Sequence, residues 1–162
     1  MAVGISFEEL LRYEEEQTEL WHNFFRKRSH LLKLEASATD DLGGLLLHIF
    51  TAEYRSAERL LGEPMTPNSE FKHGDVDALF AIAGDAHRKL REYLSRATEA
   101  SIAAPRTFPS HTLGEFTATP RKLLTHALVH SFRHWAQVAR ILRENGQRAD
   151  FSHDVIFSKA IT

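Results

Sequence analysis

The segment that most constrains this chain runs from Thr119 to Gly146. Thr119-Pro120 provides a cap and a proline at the first helical position, and Asn145-Gly146 provides a stop. Between them lies His126-Ala-Leu-Val-His130-Ser-Phe-Arg-His134-Trp-Ala-Gln137, with a histidine at every fourth position. At about 100° per residue, positions i and i+4 stack, so the three imidazoles share one face with Leu123, Gln137 and Ile141. The opposite face carries Leu124, Leu128, Phe132, Trp135 and Leu142. A helix apolar on two sides needs two surfaces to bury against. The other segments must supply at least one of them.

Three earlier stretches have the same helical period. Ser6 and Glu9 form a capping box ahead of Phe7, Leu10, Leu11, Trp21, Phe24, Phe25, Leu31 and Leu32, which predicts a helix from about 7 to about 35. Its apolar stripe is interrupted by Glu14, Gln17 and Thr18, a gap that either borders a cavity or reflects a slight rotation of the helix. Thr39 or Asp40 can cap a second helix that Gly62 and Pro64 end, with Leu45, His48, Ile49 and Ala52 facing inward. A third helix carries Val76, Leu79, Phe80, Ala83, Ala86, His87, Leu90, Leu94 and Ala97 in register. His87, with no partner at helical spacing, reads as structural. Residues 101–119, punctuated by Pro105, Pro109 and Gly114, read as a long loop, either functional or a crossover between bundle ends. No strand pattern or internal repeat stands out. The expectation is an all-α protein, a single four-helix-bundle domain over residues 1–162, with side chains of facing helices building a site in its interior.

Composition narrows the chemistry. A net charge of −2 provides no basic field for nucleic acid or anionic lipid. There is no cysteine, so thiolate ligands and disulfides are excluded and a metal must be held by nitrogen and oxygen. The first residues lack the basic region and apolar run of a signal peptide, and no stretch is apolar enough to span a bilayer. A soluble, cytoplasmic protein is expected.

Imidazoles one turn apart are a common helical way of presenting nitrogen to a divalent ion, and three histidines leave positions open for water or substrate. His130 and His134 provide two ligands. For the third, His48 on a facing helix would staple two helices together, and His126 is the local competitor. Three stacked residues span about 12 Å of axis at 1.5 Å per residue. One ion cannot take all three, so His126 is placed at the edge of the site or facing substrate. Gln137 and Glu53 are the other supporting candidates, although Glu53 can equally be solvated. The His-Glu-x-x-His motif of zincin proteases is absent, as are the paired Glu-x-x-His motifs of di-iron bundles. No catalytic residue is assigned. All-imidazole ligation suits zinc or nickel first, with iron or manganese behind them.

The stretches Leu45-Leu-Leu-His48-Ile-Phe-Thr-Ala-Glu53 and Pro120 to Gly146 resemble the DinB family of metal-dependent bundle proteins. Its members carry a histidine early in the second helix and a His-x-x-x-His pair in the last, followed by Gln and a Leu-Arg…Gly ending. The resemblance covers residues 40–160. It implies His48, His130 and His134 as ligands, an up-down-down-up bundle, and homodimers. Ser131 departs from the family, standing where relatives often have glutamate, and Trp135-Ala136 stands where they often have Arg-Gly. Some relatives are transferases or isomerases that use a low-molecular-weight thiol. The resemblance therefore implies a mononuclear metal-dependent transferase or hydrolase acting on a small molecule. The alternative is a non-catalytic metal-binding protein of stress or damage responses. The second apolar face of the last helix, which the Phe151–Phe157 tail can cover only in part, is the expected seat of a homodimer.

Overall fold

Ser6 caps the first helix, α1 (Phe7–Arg26): its hydroxyl accepts from the Glu9 amide at 3.2 Å, and the Glu9 carboxylate accepts from the Ser6 amide at 2.8 Å. The chain is described by a computed structural model over residues 4–72 and 74–161. The helix expected to reach residue 35 ends at Arg26. Ser29–Lys33 form a 3-10 turn that swings Leu31 and Leu32 into the core beside Trp21 and Leu42. A straight continuation would carry both leucines past the end of the bundle.

A small antiparallel hairpin, β1 (Glu35–Ser37) with β2 (Asp40–Asp41), reverses the chain. It moves the cap of the next helix, α2 (Leu42–Leu61), to Asp41, whose carboxylate accepts from the Gly44 amide at 2.9 Å. Gly62, at φ 75°, ends α2 in the left-handed conformation that glycine adopts without a Cβ penalty. Asp75 caps α3 (Val76–Arg96). The segment expected to be an irregular loop instead holds a short helix, α4 (Glu99–Ala103), and the hairpin β3 (Arg106–Ser110) with β4 (Gly114–Ala118). Phe108 lies opposite Phe116 and is buried in the core cluster that also holds Leu60, Leu90 and Leu124. Thr107 and Thr117, paired across the strands, mark a period of two that the prolines obscure. Thr119 caps the last helix, α5 (Pro120–Glu144).

Pairs of contacts give the directions. Tyr13 meets Phe132 and Trp21 meets Trp135, so α1 and α5 run parallel. Phe50 meets Phe80 and Glu53 meets His87, so α2 and α3 also run parallel. His22 meets Asp77 while Glu15 meets Arg91, so α1 opposes α3. The bundle is up-down-down-up, with α1 and α2 on one diagonal and α3 and α5 on the other. Parallel α2 and α3 oblige residues 62–75 to return along the bundle. A 20-residue helix is about 30 Å long, a distance an extended chain of that length covers at about 3.3 Å per residue.

The core has two apolar layers. One holds Trp21, Phe24, Phe25, Phe50, Phe80 and Trp135, the other Leu11, Leu60, Leu90, Tyr93, Phe108 and Leu124. Both faces of α5 are absorbed here. Leu124, Leu128, Trp135 and Leu142 are buried within the chain, and Phe132 packs on Tyr13. The stripe expected to be free for a homodimer is therefore covered by the other helices, and that reason for a dimer falls. The tail contributes differently than expected. Phe151 packs edge-on against Trp21, while Ile156 and Phe157 are exposed. No helix among the described residues is long and apolar enough to cross a membrane.

Candidate metal centre

α2 and α5 pack side by side and antiparallel, and their seam carries the site. Leu42, Leu46, Ile49 and Phe50 point inward on α2 and are fully buried, which turns His48 outward to the rim. The expectation that His48 sits among aliphatics on the inward face is thus corrected. On α5, Ala127, Ser131 and Trp135 face the core, and His130 and His134 lie half-buried on the flank toward α2.

There the three imidazoles converge. His48 Nε2 is 3.1 Å from His130 Nε2, which is 3.2 Å from His134 Nε2. One ligand atom from each lies within 4.8 Å of the others. Nitrogens about 2.0–2.1 Å from a tetrahedral ion would stand about 3.3 Å apart, so the donors have the spacing a divalent ion requires. The His134 Nδ1–H donates to the Gln137 Oε1, leaving Nε2 with its lone pair toward the cluster. His130 Nδ1 is buried without a partner.

Electrostatics favour the neutral, ligating form. Burial, then the neighbouring His134, His48 and His126, push the His130 imidazole down to about 4. Burial and His134 also push His48 down, opposed by the Asp40 carboxylate. Asp40 lies against the start of α2 because residue 44 is glycine: a Cβ there would come within 1.7 Å of its Oδ1. His126 stays outside the cluster. Its ring centre is 5.5 Å from that of His130, and its side chain is exposed.

The supporting residues divide. Gln137 holds His134 as described. Glu53 is not solvated; it is fully buried, accepting from the Ser131 hydroxyl and lying 3.1 Å from His87 Nε2. His87 is buried, as a structural residue would be, but it is bonded to a carboxylate from the neighbouring helix. Ser131, in the sequence only a departure from the family's glutamate, and Glu14, in the sequence only part of a polar gap, both meet this buried group. The signal for Glu14 was the polar gap in α1, where Glu14, Gln17 and Thr18 are all buried.

Three cavities open around the triad. One of about 490 Å³ is lined by Glu35, Asp40, Leu45, His48, His134 and Gln137, among others. A second, of about 340 Å³, runs from His48 past Thr51 to Arg55 and Phe71. The third, of about 420 Å³, lies beside His126 and His130 and includes Lys122 and Arg133.

An up-down-down-up helical bundle with three imidazoles meeting on one seam defines a bundle protein with a candidate mononuclear metal centre. The sequence profile of the DinB superfamily matches residues 42–138, a span that contains all three histidines. The chain belongs to the DinB superfamily. Among curated proteins none matches it.

Proposed function

We propose that the chain is a mononuclear metal-dependent enzyme whose ion, zinc or nickel, is held by His48, His130 and His134. In this reading it transfers or hydrolyses a small molecule, with a low-molecular-weight thiol as a candidate co-substrate. The observation that carries it is the convergence of three imidazoles at a rim bordered by cavities of substrate size. A site built only to hold the bundle together would be closed by a fourth protein ligand. A divalent ion here supplies Lewis acidity and lowers the pKa of a thiol or water brought to it.

The chain's own residues do the rest. Gln137 fixes the ring of His134, and the buried Ser131–Glu53 bond ties α5 to α2 beside His130. Arg55 makes no ion pair within 4 Å among the described residues, although the Glu58 carboxylate one turn on acts on it; its guanidinium lies 5.2 Å from the Phe71 ring, in the cavity that reaches His48. Its Nε is buried and unpartnered. In this reading it binds an anionic group of the substrate and orients the molecule toward the triad.

The test is a screen of zinc- and nickel-loaded protein against pairs of low-molecular-weight thiols and electrophiles, and against esters and amides. Turnover that vanishes in His134→Ala, and whose KM rises in Arg55→Gln, is expected. Full metal occupancy with no turnover in any class would favour a non-catalytic metal-binding protein.

A further inference from the structure

Between the two apolar layers of the bundle lies a polar one. Glu14 on α1 falls between Leu11 and Trp21, Glu53 on α2 between Phe50 and Ala57, and His87 on α3 between Ala83 and Leu90. Ser131 on α5 falls between Leu128 and Trp135. Each helix thus places one polar side chain at the same height. Glu14 and Glu53 are 0% exposed and His87 is 5% exposed.

We propose that Glu14, Glu53 and His87 form a second, interior metal site, for a divalent ion such as manganese(II) or iron(II). One ligand atom from each lies within 4.8 Å of the other two, on three different helices. Two carboxylates and one imidazole make an oxygen-rich donor set, unlike the three nitrogens of the rim.

The layer also holds buried oxygens that no neighbouring group satisfies. Trp135 Nε1 donates to Glu14 Oε1 at 2.7 Å, the Ser131 hydroxyl donates to Glu53 Oε1, and His87 Nε2 faces Glu53 Oε2. That leaves Glu14 Oε2 buried with no donor. Gln17 is one turn from Glu14 on the same face, 2% exposed, and its carbonyl Oε1 has no donor either. Unpaired oxygens between apolar layers are expensive, and a cation is what satisfies several of them together. Without a metal, burial and then the neighbouring Glu53 raise Glu14 well above the usual carboxylate range, and a bound cation would oppose that rise.

The interior group shares no residue with the rim histidines, so its test removes them. His130→Ala/His134→Ala protein, untagged and produced in cells supplied with manganese(II), is assayed by elemental analysis and by anomalous diffraction at the manganese edge. About one equivalent is expected. Its anomalous peak should lie within about 2.2 Å of oxygens of Glu14 and Glu53 and of a ring nitrogen of His87. Glu53→Gln added to that background should lose the ion while the circular dichroism stays helical; if it fails to fold, Glu14→Gln serves the same purpose. Folded double variant with no bound metal overturns the proposal, and so does a peak anywhere else. A carboxylate pair holding only a proton would produce the first of these results.

Discussion

Ser131 donates its hydroxyl hydrogen bond to Glu53 across the α2–α5 seam, and both residues are completely buried. The bond joins the helix that carries His48 to the one that carries His130 and His134. It also couples the rim to the polar layer inside the bundle, because the other oxygen of Glu53 faces His87.

Removing that donor should be costly. Ser131→Ala leaves a buried carboxylate oxygen unpaired, a loss of about 1–3 kcal/mol. At about 2–4 °C per kcal/mol for a chain of this size, thermal unfolding should show a drop of several degrees. An unchanged melting temperature would mean that Glu53 finds another donor.

Gln137→Ala should act on metal affinity and leave the fold alone. Gln137 is exposed, and its one role on the site is to accept from His134 Nδ1. Losing such a partner typically weakens binding roughly 10- to 100-fold. Chelator competition measures the affinity, and thermal unfolding of the metal-free protein should be unaffected.

The assignment of the third ligand separates two readings of the histidine row. His48→Ala, His130→Ala and His134→Ala should each abolish tight zinc binding, since two imidazoles make a weak chelate. His126→Ala should retain it, because that ring stands outside the converging triad. Calorimetric titration of each variant decides the matter. If His126→Ala empties the site and His48→Ala does not, the ion sits on α5 alone.

Glu14→Gln should change how the stability of metal-free protein depends on pH. The folded state raises the Glu14 carboxyl above its ordinary value of 4.5, through burial and the nearby Glu53. Above that pH the unfolded chain has released the proton while the folded chain keeps it. Stability therefore falls as pH rises from about 4.5 toward the raised value. The amide can still accept from Trp135 but cannot titrate, so melting temperatures from pH 4.5 to 8 should show a flatter profile in the variant. A profile as steep as that of the wild type would place the titration elsewhere.

The helices were legible because their signals are local. Ser6 with Glu9 and Thr119-Pro120 acted as the caps their residue types specify. Helical spacing alone put His130 and His134 on one flank. The β3–β4 hairpin was missed because Pro105, Pro109 and Gly114 read as loop punctuation; what orders it is Phe108 packing into the core, a contact between distant residues. The burial of Trp135 was hidden for the same reason. A hydrophobic position shows that it will be covered, and cannot show whether α1 or a second copy of the chain covers it.

By itself the sequence determined the number of long helices, the caps of the first and last of them, the absence of cysteine ligands, and the i, i+4 pair of imidazoles on the last helix. These follow from backbone hydrogen bonding and side-chain type, which act within a few residues. Only the tertiary structure decided that His48 lies at the rim, that Glu53 turns inward to Ser131, and that Glu14, Glu53 and His87 share one buried layer. Each of these depends on how helices distant in sequence rotate and shift against one another. That rotation is set by the summed packing of the two apolar layers, a quantity spread over the whole chain and carried by no single motif.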